Sequence, residues 1–371
     1  MLDAVIAGGG ASGLSLACGL VAAGWGDREV VVVDDGSHHI DRRSWAWWSA
    51  GAAPEGPEAV SSWSRLHVHA DGRDLPVRLG EYRYRLVRGT DLRRQAERTL
   101  AGAPRFRQQR GHVSAVRDAG DVAEVVVDGR PVTARWAFDS VSPRPADAAV
   151  WLSFHGLEVR TRRDAFDPAT PTLMDFRTPQ DGDVRFVYVL PHSARRALVE
   201  LTRFGSRGRV DGVEALDRYL RETRSTGPYE VVGEEMGELP LSLGDARRRD
   251  GRVVPIGNRG GMLKASTGYA FGRIQRDSRA LASSLVRHGH PHDVAPARPR
   301  HRFLDAVLLE VLSRDPAAIE PAFARLFERN DGDTVLRFLD EDTSRAQELR
   351  LVSTLPREPF VRAAARLRHR P

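Results

Sequence analysis

The chain has 371 residues, of which 41% are hydrophobic, and a formal net charge of +6 at pH 7. This length fits about two domains, and the hydrophobic content is ordinary for a soluble globular protein. The excess arginines are interspersed with acids rather than gathered in blocks, which predicts solvated surfaces and argues against a module that binds nucleic acid. No apolar run reaches ~18 residues, so a membrane-spanning helix is not expected.

The cysteine content and the N-terminal sequence favour a reducing, cytoplasmic location. Cys18 is the only cysteine, so the chain has no intramolecular disulfide and no CxxC metal motif. Its place in an apolar helical pattern predicts a small core residue. The sequence MLDAVIAGGG lacks the charged start and cleavage site of a signal peptide. The basic C-terminal sequence RAAARLRHRP leaves two interpretations open, which are contact with an anionic membrane surface and a frayed polar terminus.

The first 36 residues predict a βαβ unit. The sequences DAVIAGGG and REVVVVDDG have the form of buried strands, and the sequence ASGLSLACGLVAAGW between them has helical spacing and ends at Gly26. Continuous valines in the second strand are typical of a parallel sheet that is covered on both faces.

The middle of the chain predicts one helix followed by strands. The sequence RLVRGTDLRRQAERTLAG indicates a helix with Thr90 or Asp91 as N-cap. Residues 112–141 predict a three-stranded meander with turns at 119–120 and 128–129. Residues 183–204 alternate as two strands joined near 191–192, and the chain is helix-rich from about residue 293.

These elements predict an α/β fold: a Rossmann-like, doubly wound parallel sheet with a strand-rich substrate domain and a helical C-terminal region. The predicted nucleotide domain is discontinuous and comprises residues 1–50, 85–150 and 250–290. The substrate domain comprises residues 51–84 and 151–249, and the helical region comprises residues 291–371.

A glycine-rich loop after the first strand predicts a dinucleotide site. Gly8, Gly10 and Gly13 match GxGxxG, enclose Ala11 and Ser12, and open the predicted helix. Gly8 permits a tight turn, Gly10 lets the backbone approach a pyrophosphate, and Gly13 lets helix and strand pack closely. The helix N-terminus offers free N–H groups to the phosphates.

Acidic residues after the second strand complete this prediction. Asp34 follows Gly13 by about 20 residues, the spacing of the carboxylate that binds ribose hydroxyls. Asp35 is the alternative, and we favour Asp34 because it follows the valine run directly.

A second glycine-rich junction, IGNRGGMLKASTGYAFGR at residues 256–273, favours FAD over NAD as the nucleotide. Flavoproteins of this architecture bring a distant strand, loop and helix back to the flavin, and this segment has that form. It contains the only lysine of the chain, for which a cofactor contact and a solvated loop position are both open. The predicted cofactor contacts in this segment are Gly257, Gly260, Gly261, Lys264 and Thr267, and Tyr269 is a candidate pocket wall.

Several ordered segments together resemble one family. Besides the glycine-rich loops, they are RRSWAWW at 42–48, WAFDSVSPRP at 136–145, residues 173–204, EEMGELPL at 234–241 and the C-terminal segment from residue 335. Over nearly the whole chain they are similar to the flavin-dependent lycopene cyclases of bacteria and plants. Arg43, in the first of these segments, is a further expected cofactor contact.

The resemblance implies a catalytic acid at Glu200. The plant enzymes carry a Phe-Leu-Glu-Glu-Thr box whose first Glu is the acid–base group, and this chain has Leu-Val-Glu-Leu-Thr, with Leu201 in place of the second Glu. Other departures are Ser44, Val141 and Ala265, which affect the expected substrate detail more than the expected chemistry.

The resemblance also implies the reaction, which is the redox-neutral cyclisation of a linear carotenoid, lycopene, to β-ionone rings. The terminal alkene is protonated, the neighbouring double bond attacks the cation, and a proton is lost. Reduced FAD is the active cofactor, NAD(P)H the expected reductant, and the partner a hydrophobic polyene. Such a substrate implies contact with the inner face of the cell membrane.

Further residues are candidates for the same site. Asp175 and Glu235 are possible catalytic carboxylates, although an Asp175–Arg177 ion pair is the simpler interpretation of the first. Alternation in RALVELTRF places Glu200 on one face with an apolar neighbour, which would favour a protonated acid. The expected substrate contacts are Trp45, Trp47, Trp48 and Tyr269, whose rings can stabilise a cation.

Three alternatives stay open at this point. The chain could cyclise another terpenoid chain, act as a flavin monooxygenase or polyprenyl reductase, or bind lipid without catalysis. A monooxygenase or reductase would consume NAD(P)H in proportion to product, whereas a cyclase needs only catalytic reductant. The histidines show no defensible ligand spacing, so no metal is expected.

Overall fold

The computed structural model describes residues 1–37, 39–51, 61–143, 148–243, 251–296 and 298–368. The strands are β1 (Leu2–Ala7), β2 (Val30–Asp34), β3 (Ser44–Ala50), β4 (Ser61–Trp63), β5 (Arg65–Ala70), β6 (Arg73–Arg78), β7 (Tyr82–Arg88), β8 (Phe106–Arg110), β9 (Val113–Asp118), β10 (Ala123–Val127), β11 (Arg130–Asp139), β12 (Val150–Thr161), β13 (Thr172–Asp175), β14 (Val184–Ser193), β15 (Arg196–Gly205), β16 (Tyr229–Leu241) and β17 (Val253–Pro255). The α-helices are α1 (Ala11–Leu20), α2 (Gly89–Ala101), α3 (Val213–Arg218), α4 (Phe271–His288), α5 (Pro299–Arg314), α6 (Ile319–Arg329), α7 (Gly332–Leu339), α8 (Arg345–Val352) and α9 (Arg357–Arg368).

The first sheet is parallel at its centre. Its order is β8-β2-β1-β11-β10-β9, with β17 beside β11, and only the meander β9-β10-β11 is antiparallel. The valines of β2 alternate between two buried clusters, with Val30 and Val32 in one and Val31 and Val33 in the other. This arrangement confirms the predicted strand that is covered on both faces and the predicted Rossmann-like α/β class.

The second sheet has the order β16-β12-β15-β14-β13-β5-β6 and is antiparallel except for the β13–β5 pair. One face packs on the C-terminal helices in the largest buried cluster, where Leu198 lies with Val307 and Leu312. The other face, with Val199 and Leu201, packs on α3. Period-two alternation along β15 therefore separates two environments within one strand.

The third sheet is small, and its strand pairing is separate from that of the other two sheets. Its order is β3-β7-β4, so the tryptophans of β3 pair with β7 rather than with the parallel sheet, although residues 44–50 fall in the predicted nucleotide segment. The predicted domain limits stay a prediction. None of the helices in the described ranges is long and apolar enough to cross a membrane.

Two local predictions about element ends are wrong. Helix α2 begins at Gly89 with Arg88 as N-cap, so Thr90 and Asp91 lie inside its first turn. The start is fixed by close packing, because a Cβ on Gly89 would overlap the carbonyl oxygen of Ile40. The turn between β14 and β15 lies at 194–195 rather than 191–192, since β14 continues to Ser193.

The C-terminal segment and Cys18 also differ from expectation. Up to Arg368 the C-terminal segment is the helix α9 rather than frayed, because Ala363 is buried against the core and Arg366 lies 3.8 Å from Glu310 of α5. Residues 369–371 lie outside the described residues. Cys18 is half-buried beside Trp45 and Leu14 rather than fully buried.

Candidate active site

A cleft of about 580 Å³ is lined by residues of all three sheets. Ligand sites commonly enclose ~300–1,000 Å³. The predicted site residues that line the cleft are Gly8, Gly10, Ala11, Ser12, Asp34, Arg43, Trp45, Glu200, Glu235, Thr267 and Tyr269. Those that do not line it are Gly13, Asp35, Trp47, Trp48, Asp175, Gly257, Gly260, Gly261 and Lys264.

The glycine loop forms one end of the cleft. Gly8 has φ +105°, and a Cβ on Gly13 would overlap the carbonyl oxygen of Gly8, so turn and helix contact each other directly. A Cβ on Gly10 would meet no protein atom within 4 Å and would project into open space. The loop therefore leaves a cradle in front of the N-terminus of α1, where free N–H groups attract an anion.

The two aspartates after β2 differ in position. Asp34 lines the cleft, and its oxygens accept hydrogen bonds from the amides of Gly9 at 2.6 Å and Gly36 at 2.7 Å. A carboxylate keeps further lone pairs for a hydroxyl ligand. Asp35 points away from the cleft, and hydrogen bonds from Ser37 and His112 lower its pKa.

The late junction meets the glycine loop. Gly257 has φ +59°, and a Cβ on it would overlap Ser12, so this residue brings the two loops into contact. Thr267, Tyr269 and Phe271 line the cleft around the start of α4. Both helix N-termini therefore border one cavity. Gly260 and Gly261 lie outside its lining and close a turn through hydrogen bonds to the carbonyls of Ile256 and Asn258.

Lys264 does not line the cleft, and its predicted cofactor contact stays a prediction, whereas the solvated alternative is wrong. The side chain is buried, with 6% of the residue exposed. Its ammonium donates to Asp305 at 2.8 Å and to Glu341 at 2.9 Å, and Arg273 also contacts Glu341. The lysine therefore links the late junction to α5 and to the loop after α7.

Two carboxylates lie in one row across the second sheet. Gly156 of β12 is the register partner of Glu200 on β15 and of Glu235 on β16, and Tyr188 of β14 is the partner of Glu200 on its other side. Cross-strand partners share a face, so all four residues face the cleft side. A Cβ on Gly156 would lie 3.3 Å from Oε2 of Glu200 and 3.2 Å from Cγ of Glu235.

Both carboxyls are desolvated. Burial raises the pKa of Glu200 to about 7, against the opposing effects of a Thr202 hydrogen bond and the Arg43 charge. Burial, followed by the nearby Glu200 charge, raises the pKa of Glu235 well above its usual range, although its Oε2 accepts the Ser44 amide at 2.8 Å. At neutral pH such a pair retains a proton.

Asp175 belongs to the opposite face of the sheet and does not line the cleft, and the structure confirms the simpler interpretation, the Asp175–Arg177 ion pair. It is the register partner of Val187, one residue before Tyr188, and is fully buried beside α3. Burial raises its pKa, but hydrogen bonds from Arg177 at 2.7 Å and from the Tyr219 hydroxyl at 2.7 Å outweigh this and lower the pKa overall. Asp175 is therefore a structural, ionised group.

Three tyrosine hydroxyls form a chain beside Glu200. Tyr269 lies 3.1 Å from Tyr84 and donates to Tyr188 at 3.2 Å. Burial raises the pKa of each, and the Glu200 charge adds to this. The sequence analysis missed Tyr84 and Tyr188, and also Gly156. An isolated glycine inside a strand pattern often marks a close approach, which is the signal for Gly156.

The three tryptophans of β3 have different surroundings. Trp45 lines the cleft and stacks on Phe271 at 5.8 Å between ring centroids. Trp47 is covered by the same Phe271 at 4.9 Å between ring centroids and packs in the core outside the cleft lining, so its predicted substrate contact stays a prediction. Trp48 projects from the other face of β3, contacts Tyr269 and lines a small apolar cavity under the C-terminal helices instead of the cleft.

One group of metal-ligand type occurs in the described part of the chain, outside the cleft. His67 and His69 of β5 lie 3.2 and 3.4 Å from Oδ1 of Asp74 on β6. These are the distances of ordinary polar contacts between histidine and aspartate, and Asp74 is exposed.

Comparison with known proteins agrees with this geometry. Residues 3–365 match the sequence profile of the family described as Lycopene cyclase protein. A lycopene beta-cyclase of Paracoccus sp. is 30% identical over 234 residues, which is 59% of this chain and 60% of that protein. A lycopene beta-cyclase of Pantoea ananas is 27% identical over 254 residues, 65% of this chain and 63% of that protein. The aligned parts thus span about three fifths of these relatives.

Solved structures share the fold at low identity. A geranylgeranyl bacteriochlorophyll reductase-like protein of Thermoplasma acidophilum superposes with a TM-score of 0.59 at 13% identity, covering 99% of this chain and 98% of that one. HpxO of Klebsiella pneumoniae, solved with FAD, gives a TM-score of 0.61 at 13% identity and covers 96% and 100%. With the family profile extending over nearly all of its length, the chain belongs to the lycopene cyclase family.

Proposed function

We propose that this protein cyclises the end of a linear carotenoid, lycopene, to a β-ionone ring, with FAD bound in the cleft and Glu200 as the acid. One observation carries the proposal: a desolvated carboxyl lies on the wall of the same cleft whose other end is the dinucleotide loop. The names of the relatives support the substrate. Other terpenoid chains remain outcomes of the test.

The residues at the loop end fit FAD. The amides at the start of α1 and the space in front of Gly10 suit a pyrophosphate, and Asp34 suits ribose hydroxyls. When bound, reduced FAD supplies negative charge that stabilises a cation nearby. NAD(P)H is the proposed reductant, and only catalytic amounts are needed because the reaction is redox-neutral.

The protein's own part is to keep a proton on an acid in a dry pocket. Leu152, Phe154 and Leu198 lie on the cleft wall and provide apolar surroundings for Glu200. Desolvation raises the pKa of the carboxyl to about 7, so a large fraction stays protonated at neutral pH, which is the state needed to protonate an alkene. Trp45 and Phe271 present aromatic rings on the wall, which suit a carbocation.

A test of the activity is expression in a lycopene-producing bacterium, with the pigments separated and identified. We expect cyclic carotenoid from the wild type and none from E200Q. The control E230Q changes an exposed glutamate of β16 and should cyclise normally. Reductant consumed in proportion to product would instead indicate a monooxygenase or reductase, and unchanged lycopene with the wild type would refute the proposal.

A test of the cofactor site compares two glycines. In G10V the added side chain enters open space, so we expect a folded protein that takes up no FAD. In G13A the methyl group would overlap the carbonyl oxygen of Gly8, so we expect loss of stability itself. Flavin absorbance and thermal melting distinguish the two outcomes, and a G10V protein that keeps FAD would place the cofactor elsewhere.

Peripheral contact with the inner face of the cell membrane is also proposed, since the substrate is hydrophobic. Leu349 of α8 and Val361 of α9 are exposed apolar side chains, and α9 also carries Arg357 and Arg368. Sedimentation with vesicles that contain anionic lipid should retain the wild type more than L349S/V361S. Equal retention of the two proteins would contradict the proposal that this surface contacts the membrane.

A further inference from the structure

We propose that Glu235 is the base that removes the ring proton, and that this proton returns to Glu200 across the space left by Gly156. This inference rests on the proposed function, because it divides the acid and base roles of the same reaction between two residues. A Cβ placed on Gly156 would lie 3.3 Å from Oε2 of Glu200 and 3.2 Å from Cγ of Glu235, so the two side chains approach one point from the strands on either side of β12.

Neighbouring hydrogen bonds hold one oxygen of each carboxyl. Thr202 donates to Oε1 of Glu200 at 3.2 Å, which leaves Oε2 on the side of Gly156. The Ser44 amide donates to Oε2 of Glu235, whose Oε1 has no hydrogen bond to any residue in the described ranges. Each carboxyl therefore has one oxygen held by the protein and one available for proton transfer.

The surrounding charges favour one proton in the pair. The Arg43 guanidinium lowers the pKa of both carboxyls, and it also donates to the carbonyl of Met236, next to Glu235. Glu158 adds negative charge near Glu235. One cation matches one carboxylate, and two adjacent carboxylates would repel each other, so the pair shares one proton near neutral pH. The higher pKa of Glu235 places this proton on Glu235 in the resting pair, and the proposed return step moves it to Glu200 before each cycle.

The reaction balances without a co-reactant. The O–H bond of Glu200 breaks and a C–H bond forms at the terminal alkene carbon. The next double bond attacks the cation and forms the ring C–C bond. A C–H bond beside the new cation breaks, its electrons form the ring double bond, and Glu235 takes the proton. The product is an isomer of the substrate, and transfer of the proton from Glu235 to Glu200 restores the starting state.

The first experiment tests the base with E235Q, against the exposed control E230Q on the same strand. Flavin absorbance and melting check folding. We expect ring formation to fall by about 100-fold or more, as for the loss of a general base. The residual activity should lose the acidic limb of its pH profile, and E235D should restore part of both. E235Q with the wild-type rate and pH profile would overturn the base assignment.

The second experiment tests the return of the proton with G156A, against the control G233A. A Cβ at Gly233 would meet Glu158 Oε2 at 3.1 Å, so the two changes are similarly crowded, but only G156A separates the pair. We expect G156A to form the first ring at the wild-type rate with enzyme in excess and to slow about tenfold in steady state. Equal steady-state rates for G156A and G233A would overturn the route. A wild type that forms no rings would instead refute the proposed function.

Discussion

The two faces of the second sheet each carry an acid, the fully buried Asp175 and the half-buried Glu200, and the comparison shows that hydrogen-bonding partners rather than burial decide the charge of the acid. Asp175 is fully buried, yet hydrogen bonds from Arg177 and Tyr219 keep it ionised. Glu200, on the face that lines the cleft, has a Thr202 hydroxyl and the Arg43 charge as partners, and desolvation raises its pKa to about 7. The ionised acid holds the sheet to α3, and the protonated acid is available for chemistry.

The largest expected effect is the loss of ring formation when the acid on the cleft face is replaced. E200Q should lower the rate of ring formation by about 10²–10⁴-fold, because an amide cannot protonate an alkene. Flavin content and melting should stay near the wild-type values, since Gln keeps the shape of the side chain. The measurement is carotenoid product per bound flavin. Undiminished cyclisation would remove Glu200 from the mechanism.

The complementary change, D175N, should affect stability instead. Replacing the carboxylate weakens its contacts with Arg177 and Tyr219 in a buried site, which costs about 1–3 kcal/mol in the free energy of unfolding. Ring formation per folded molecule should stay within about twofold of wild type. Urea unfolding and product assays on the folded protein measure the two quantities. A large loss of rate without loss of stability would return Asp175 to the active site.

The rate of ring formation by the wild type should depend on pH through the titration of Glu200, the acid on the cleft face. Because the pKa of Glu200 is raised to about 7, the protonated acid disappears above this pH and ring formation should fall about tenfold per pH unit. The measurement is kcat/KM with dithionite-reduced flavin, so that reductant chemistry does not limit the rate. A flat profile from pH 6 to 9 would show that a different group supplies the proton.

The smallest expected effect is on stability against pH, with opposite signs for the two faces. The raised pKa of Glu200 gives stability that is present below its unfolded value and lost as pH rises toward 7, so E200Q should gain stability relative to the wild type over this interval. The lowered pKa of Asp175 gives stability that is lost in acid, so the deficit of D175N should shrink below about pH 4. If the free energies of unfolding of E200Q, D175N and the wild type changed in parallel with pH, the assigned charges of the two acids would be contradicted.

Several parts of the site could be predicted because they depend on local sequence. The turn at Gly8, the contact of Gly13 and the place of Asp34 at the end of β2 follow from a short strand–loop–helix pattern. Alternation placed Glu200 and Leu198 on one face of β15, and the structure confirms that separation from Val199. These features involve neighbours that are close in the chain.

Other parts depend on packing between distant segments. Lys264 is held by Asp305 and Glu341, which follow it by 41 and 77 residues, and no local pattern indicates that ion pair. Trp47 resembles Trp45 in sequence context, but Phe271 of α4 covers it. The face on which Asp175 lies could not be predicted, because its strand register includes a bulge.

The sequence by itself determined the α/β class, the glycine-rich loop after β1 and the shared face of Glu200 and Leu198 on β15, since glycine spacing and strand alternation act over a few residues. Only the tertiary structure decided which acids share the cleft. The row from Tyr188 through Glu200 and Gly156 to Glu235 joins four strands, and its order follows from sheet register. Register is fixed by hydrophobic burial on both faces at once, which is a property of the assembled sheet.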